Sequence, residues 1–221
     1  MKYAALIFLI VSGCTRSLVY SPSMHAPAEP QKKNQTQLYG GVSMLAETRP
    51  HRVDRGVSAG LDGLIRFAIS DRISIHVKAW QATEKLDDKE RRGYAAGALI
   101  RLGDGSKPWN WGVTAQGGFV TYGSEIQGGG GSISGVFWAP KVMFIIPYAA
   151  FGPVWGRRNS NSDNEDKFEW GWGLIGNLGI NTTFSKTLVI NAEISAIKQY
   201  DKYDGYSRFL VAPSIGLSCN F

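Results

Sequence analysis

Between Leu38 and Phe221 apolar residues recur at every second position, and no stretch carries a convincing 3.6-residue repeat. That period predicts an all-β chain. Turn signals divide it into ten strands, over 37–46, 56–69, 73–83, 92–102, 109–120, 130–138, 141–155, 167–182, 187–199 and 206–221. The breaks alternate in length. Ser70 to Arg72, Gly103 to Pro108, Ala139-Pro140 and Phe184 to Lys186 are short, whereas 47–55, 84–91, 121–129, 156–166 and 200–205 are long and polar. Short turns at one end and long loops at the other are the pattern of an antiparallel up-and-down transmembrane β-barrel, and an even strand number returns both termini to the short-turn end. Eight strands is the alternative. It arises at 128–155, where Gly128 to Gly131 suggest a bulge and Pro140, Pro147 and Pro153 interrupt pairing.

Each strand separates into two faces of different chemistry. In the last one Phe209, Val211, Pro213, Ile215, Leu217, Cys219 and Phe221 alternate with Ala212, Ser214, Gly216, Ser218 and Asn220. Leu188, Ile190, Ala192 and Ile194 likewise oppose Asn191, Glu193 and Ser195, and Leu61, Ile65 and Phe67 oppose Asp62 and Arg66. A barrel in water turns its apolar face inward and a densely charged one outward. Here the second face is mostly Gly, Ser and Asn, which suits a crowded polar lumen inside an apolar wall. Aromatic residues gather near strand ends, at Trp109, Trp111, Trp155, Trp170, Trp172, Tyr200, Tyr203 and Tyr206. Amphipathic rings gain most at the headgroup level of a bilayer.

The N-terminus has a different character. Lys2 precedes the apolar run Tyr3 to Val11, then Ser12-Gly13-Cys14, which reads as a signal peptide over 1–13. Val11-Ser12-Gly13-Cys14 resembles the bacterial lipobox, in which the Cys becomes a lipidated N-terminus; the other reading is an ordinary signal peptide that leaves Cys14 free to pair with Cys219. Residues 14–36, with Pro22, Pro27, Pro30 and Lys32-Lys33, read as an extended tether, and 37–221 as the barrel. Thr15-Arg16-Ser17 lacks the acidic residues that mark familiar lipoproteins for other destinations, so the resemblance implies the periplasmic leaflet of the outer membrane.

Taken with Val19-Tyr20-Ser21-Pro22-Ser23, Pro27 behind it and a final strand ending at Phe221, the whole chain resembles the small outer-membrane β-barrel lipoproteins of Bacteroidota-type bacteria. The resemblance implies an outer-membrane location and a barrel. It implies no catalytic residue and no cofactor beyond the covalent lipid on Cys14.

Composition agrees: of 221 residues 27 are Gly, 12% are aromatic and 19% charged, which excludes disorder. The net charge of +6 forms no patch, because the long loops and their flanks are nearly balanced, so nucleic acid is not expected as a partner. The excess lies in the tether, the lumen and the turn side, where Arg72, Lys107, Lys141 and Lys186 could meet headgroup phosphates. Arg157-Arg158, read as part of a long loop, is the candidate contact for lipopolysaccharide.

The expected lumen network is Asp62, Glu169 and Glu193 against Arg66, Lys78 and Arg101, with His76 and Asn191. A hairpin closing at 70–72 sets Arg66 opposite His76 and Asp62 diagonal to Lys78. With a cation rather than a carboxylate facing it, His76 lacks the orienting partner that a Ser74/His76/Asp62 triad requires. Outer-membrane barrel enzymes place reactive groups at the outer rim or the lipid face, and no His here sits on a strand near the long loops. Gly171 to Gly176 spells G-x-G-x-x-G but lies within an alternating strand with no helix after it, so it is no dinucleotide loop. No Cys or His pair has metal-ligand spacing. The expected function is therefore non-catalytic: a structural or interaction role through the loops, or as an accessory subunit of a larger outer-membrane assembly with protein partners. A small solute channel is the main alternative. A lipid-active enzyme and a soluble periplasmic ligand-binding barrel stand behind it.

Overall fold

The computed structural model describes residues 31–48, 57–83, 90–103, 109–162, 165–185, 187–201 and 207–221. Ten strands form one closed antiparallel barrel: β1 (Thr36–Thr48), β2 (Val57–Ala68), β3 (Ile73–Ala82), β4 (Arg91–Arg101), β5 (Asn110–Tyr122), β6 (Glu125–Trp138), β7 (Ile145–Ser162), β8 (Glu165–Thr183), β9 (Leu188–Asp201) and β10 (Ser207–Asn220). Each strand pairs with its sequence neighbours, and β1 closes on β10 from Gln37↔Asn220 to Thr48↔Phe209. Closure leaves no unpaired edge. Thr36 and Phe221 exchange both backbone hydrogen bonds, at 3.0 and 2.9 Å, so the start of β1 and Phe221 meet at the short-turn end.

The wall is inside out relative to a protein in water. Among the described residues more large apolar side chains are exposed than buried, and they are the outward members of the alternation: Leu61, Ile65 and Phe67 on β2, Ile73, Ile75 and Val77 on β3, Ile215 and Leu217 on β10. Asp62, Arg66, His76, Lys78 and Ser218 from the same strands are buried. Such a surface is stable only when its solvent is hydrocarbon. No described helix is long and apolar enough to cross a membrane; the strands do the crossing.

Both boundaries of the apolar band are marked. At the long-loop end Trp172 stacks on Tyr200 with centroids 4.6 Å apart, the Lys198 ammonium lies 5.2 Å from the Tyr200 ring centroid, and Tyr94 packs on Phe119. Lys198 reaches from the lipid face toward the headgroups, as long cationic side chains do. On β3 and β4 the band ends at exposed Gln81 and Arg92, whose guanidinium donates to Glu90. At the other end Trp109, Trp111, Phe137, Phe184 and Phe221 are exposed. At about 3.3 Å per residue and a tilt near 45°, the path from Trp172 to Phe184 rises roughly 28 Å, close to the apolar height of such barrels.

Three sequence expectations are corrected. The span 121–129 is no long loop: β5 and β6 run on to a turn at Gly123-Ser124, with Gly123 at φ 61°, and Gln127 is an extra residue between the pairs Thr121↔Ile126 and Val120↔Gly128. Residues 156–162 and 165–166 are also strand, paired from Gly156↔Gly171 up to Ser162↔Glu165. Both were obscured because a ladder outside the membrane needs backbone groups, not apolar side chains. Conversely β7 starts at Ile145 rather than at 141, because a two-residue turn with Met143 at φ 57° precedes it.

Candidate functional site in the barrel interior

The interior is filled by large residues seated over small ones. Trp80 lies over Gly60, leaving no room for a Cβ there, and its indole Nε1 crosses β2 to donate to Ser43 Oγ at 3.1 Å. Tyr148 lies over Gly179 in the register row Tyr148–Gly179–Glu193, and its hydroxyl donates to Glu193 Oε2. Tyr39 covers Gly41 and Gly216.

At the centre is a polar belt. Glu193 Oε1 accepts from Asn177 Nδ2 at 3.1 Å and Ser195 Oγ at 2.8 Å, so with Tyr148 the carboxylate holds three donors. Arg66 Nη1 donates to Gln37 Oε1 across β1–β2 at 2.7 Å, and Asn191 bridges Asn181 and Ser218, donating to the first and accepting from the second. Lys78 sits in the field of Asp62 and Glu193, and His76 faces Arg66 across the β2–β3 ladder. Charges removed from water persist only when mutually compensated, as here.

An apolar layer caps this belt and an apolar cluster lies beside it. Toward the long-loop end Trp80, Ala82, Ala95, Val120, Val154, Ile175, Ile197, Leu210 and Ala212 form one buried cluster that draws on β3, β4, β5, β7, β8, β9 and β10. Toward the short turns Leu99, Val136, Trp138, Ile146, Tyr148, Ala150 and Val189 form a second cluster on β4, β6, β7 and β9, while β1, β2, β8 and β10 bring polar Gln37, Arg66, Asn181 and Ser218 to the same end. The sequence reading missed both. The signal was present as inward-parity aromatics, Trp80, Trp138 and Tyr148, but period two assigns a face, not which inward residues share a height.

Of the residues expected in the lumen, Asp62, Arg66, His76, Lys78, Asn191 and Glu193 are buried there. Arg66 pairs directly with His76, and Asp62 opposes Trp80, which places it diagonal to Lys78. Arg101 is half-buried, at the short-turn end of β4. Glu169 pairs in backbone register with Arg158, and its side chain lies outside the described residues. Arg157 and Arg158 belong to β7, not to a loop, opposite Trp170 and Glu169 of β8; their side chains too lie outside the described residues. So do Cys14, Trp170, Tyr203 and Tyr206. Ser74, His76 and Asp62 are all buried beneath the upper apolar layer, with Arg66 rather than a carboxylate facing the imidazole. No group of three metal-binding side chains occurs among the described residues.

No family model and no curated protein matches the chain. Solved structures do match in fold. The outer-membrane protease OmpT from Escherichia coli aligns with a TM-score of 0.52 at 10% identity, over 90% of this chain and all of that one. Neisserial surface protein A aligns at 0.45 and 10% identity over 84% of this chain and 97% of its own. Ail of Yersinia pestis aligns at 0.41 and 13% over 86% and 99%. The chain thus has the fold of outer-membrane β-barrel proteins.

Proposed function

We propose that this chain is a lipid-anchored outer-membrane barrel with a sealed interior, which acts without catalysis as a structural or interaction protein, an accessory of an envelope assembly. The observation that carries the reading is the filling of the lumen by packed side chains. A solute path would have to cross the Trp80–Leu210 layer and then the hydrogen-bonded belt with the Trp138–Tyr148 cluster beside it, and buried side chains fill the interior at both levels. The same filling argues against hydrolysis at Ser74 and His76, since a substrate cannot reach them. With the interior committed to packing, interaction falls to the surfaces: lipid around the wall, lipopolysaccharide at Arg157 and Arg158 on the β7–β8 overhang, and protein partners above or below. Lipid on Cys14 fits the geometry, because the tether ends at the short-turn rim. There the Lys33 N–H donates to Asp71 Oδ1 at 2.8 Å and the Asn34 N–H to the Ala68 carbonyl at 2.8 Å.

The test is a Cys14→Ser variant carrying an ordinary cleavable signal peptide, followed by outer-membrane fractionation and gel migration with and without boiling. Retention in the outer membrane with a heat-dependent shift is expected. A soluble periplasmic product with no shift would overturn the membrane-spanning barrel and leave a soluble ligand-binding one. Reproducible single-channel openings of the purified protein in planar bilayers would overturn the sealed interior and establish the channel.

A further inference from the structure

We propose that the β6–β7 turn, residues 139–144, forms with Phe184 a hydrophobic foot that seats the barrel in the lipid leaflet at its short-turn end. The inference rests on the membrane-spanning reading and extends it to a part of the molecule below the strands. Val142 is 65% exposed, Met143 85%, Phe144 52% and Phe184 66%. This is a built turn. Val142 and Ile145 exchange both backbone hydrogen bonds at 2.9 Å, and the Phe144 carbonyl accepts from the Thr183 N–H at 2.8 Å and from Thr183 Oγ1 at 3.3 Å, which ties the turn to the end of β8 beside Phe184.

The tip chemistry identifies the solvent. Met143 holds φ at 57°, a left-handed conformation that a two-residue hairpin in water fills with Asn, Asp or Gly. Here the strained position carries a long apolar side chain, followed by Phe. The β2–β3 turn at the same end shows the aqueous solution: Ser70 Oγ accepts from the Arg72 and Ile73 N–H groups at 3.3 and 3.1 Å, and Asp71 receives the tether. One rim therefore carries two kinds of turn.

Continuity selects lipid as the occupant. Exposed Trp109, Trp111 and Phe137 lie on one side of the foot and Leu188 and Phe221 on the other, all belonging to the apolar wall. Exposed Lys141 at the start of the turn suits headgroup phosphate. Four such side chains expose roughly 500 Å² at ordinary residue sizes, short of the ~800 Å² per partner of a stable protein interface.

The test uses the full mature chain with Cys14→Ser and Cys219→Ser, and a nitrobenzoxadiazole label on Met143→Cys, Asp71→Cys or Phe151→Cys. Each is refolded into phosphatidylethanolamine/phosphatidylglycerol vesicles that contain lipids spin-labelled near the headgroup or at mid-chain, with folding checked by the heat shift. Val142→Cys replaces Met143→Cys should the latter not fold. The label at 143 is expected to be quenched several-fold more by the shallow lipid quencher than the label at 71, which iodide in the buffer should quench instead. Iodide access at 143 equal to that at 71, with quenching at 151 by the mid-chain lipid, would overturn the foot alone. Absence of lipid quenching at 151 would remove the membrane-spanning reading and the foot with it.

Discussion

Gly60 and Gly179 are seats for rings, and their substitution tests whether the interior is packed as tightly as the register implies. A Cβ at Gly60 would fall within the Trp80 indole, so Gly60→Val must move the ring and break its bond to Ser43. Overpacking of this kind costs about 1–3 kcal/mol. The urea midpoint of the barrel folded in vesicles should fall accordingly while the heat shift survives; an unchanged midpoint would mean that the ring has room. Glu193 permits a sharper measurement, because three donors converge on one buried carboxylate. Tyr148→Phe removes one donor and leaves the shape, with an expected loss of about 1–3 kcal/mol, the range for stripping a partner from a buried acceptor. Asn177→Ala removes another. Because both act on the same group, the double variant should depart from the sum of the singles by at least ~0.5 kcal/mol, whereas additivity would show that the belt is not one network.

At the scale of elements, β7 and β8 stand apart by continuing beyond the Trp155–Trp172 pair to Ser162 and Glu165. Nothing in the lipid requires that overhang, so excising 158–169 and closing the strands with Asn-Gly should leave folding and the heat shift intact. It should also weaken co-purification with lipopolysaccharide if Arg158 contributes to the contact; undiminished lipopolysaccharide would take the overhang out of that role. The overhang also shows where the sequence was legible. Inside the membrane each strand announces itself, because lipid on one side and lumen on the other force alternation: β2, β3, β9 and β10 appear within a residue or two of their expected bounds. The Arg66–His76 pairing was readable too, since the tight turn at Ser70 to Arg72 fixes the register. Outside the membrane the constraint lapses. Residues 156–162 and 165–166 pair through the backbone with polar side chains, and 141–144 form an apolar turn where convention expects a polar one. The apolar layers of the interior escaped for another reason: alternation marks Trp80 and Leu210 as inward without saying that they meet, a matter of tilt and stagger around the closed wall.

For the whole molecule the question is whether ten strands enclose a passage, and strand number alone does not decide it. Barrels of this size lie between those filled by side chains and those wide enough to conduct. Here filling follows from the arrangement of bulk: Trp80 above the belt, Trp138 beside it at the short-turn end, and charged and amide groups packed around them. Because the Trp80 layer and the belt with its flanking Trp138 cluster lie in series, opening either should leave the other closed. Trp80→Ala and Trp138→Ala are each expected to cost about 3–5 kcal/mol in stability, the range for truncating a buried Trp, and to remain electrically silent in planar bilayers. The double variant removes the largest side chain from both apolar clusters and opens the belt to water. Brief openings should then appear, with cation–anion preference altered by Glu193→Gln, since that carboxylate would face the new path. Openings in either single variant would reduce the seal to one layer. Silence in a double variant that still shows the heat shift would make the polar belt itself the barrier, held by the Glu193 and Asn191 hydrogen bonds rather than by the rings that cap it.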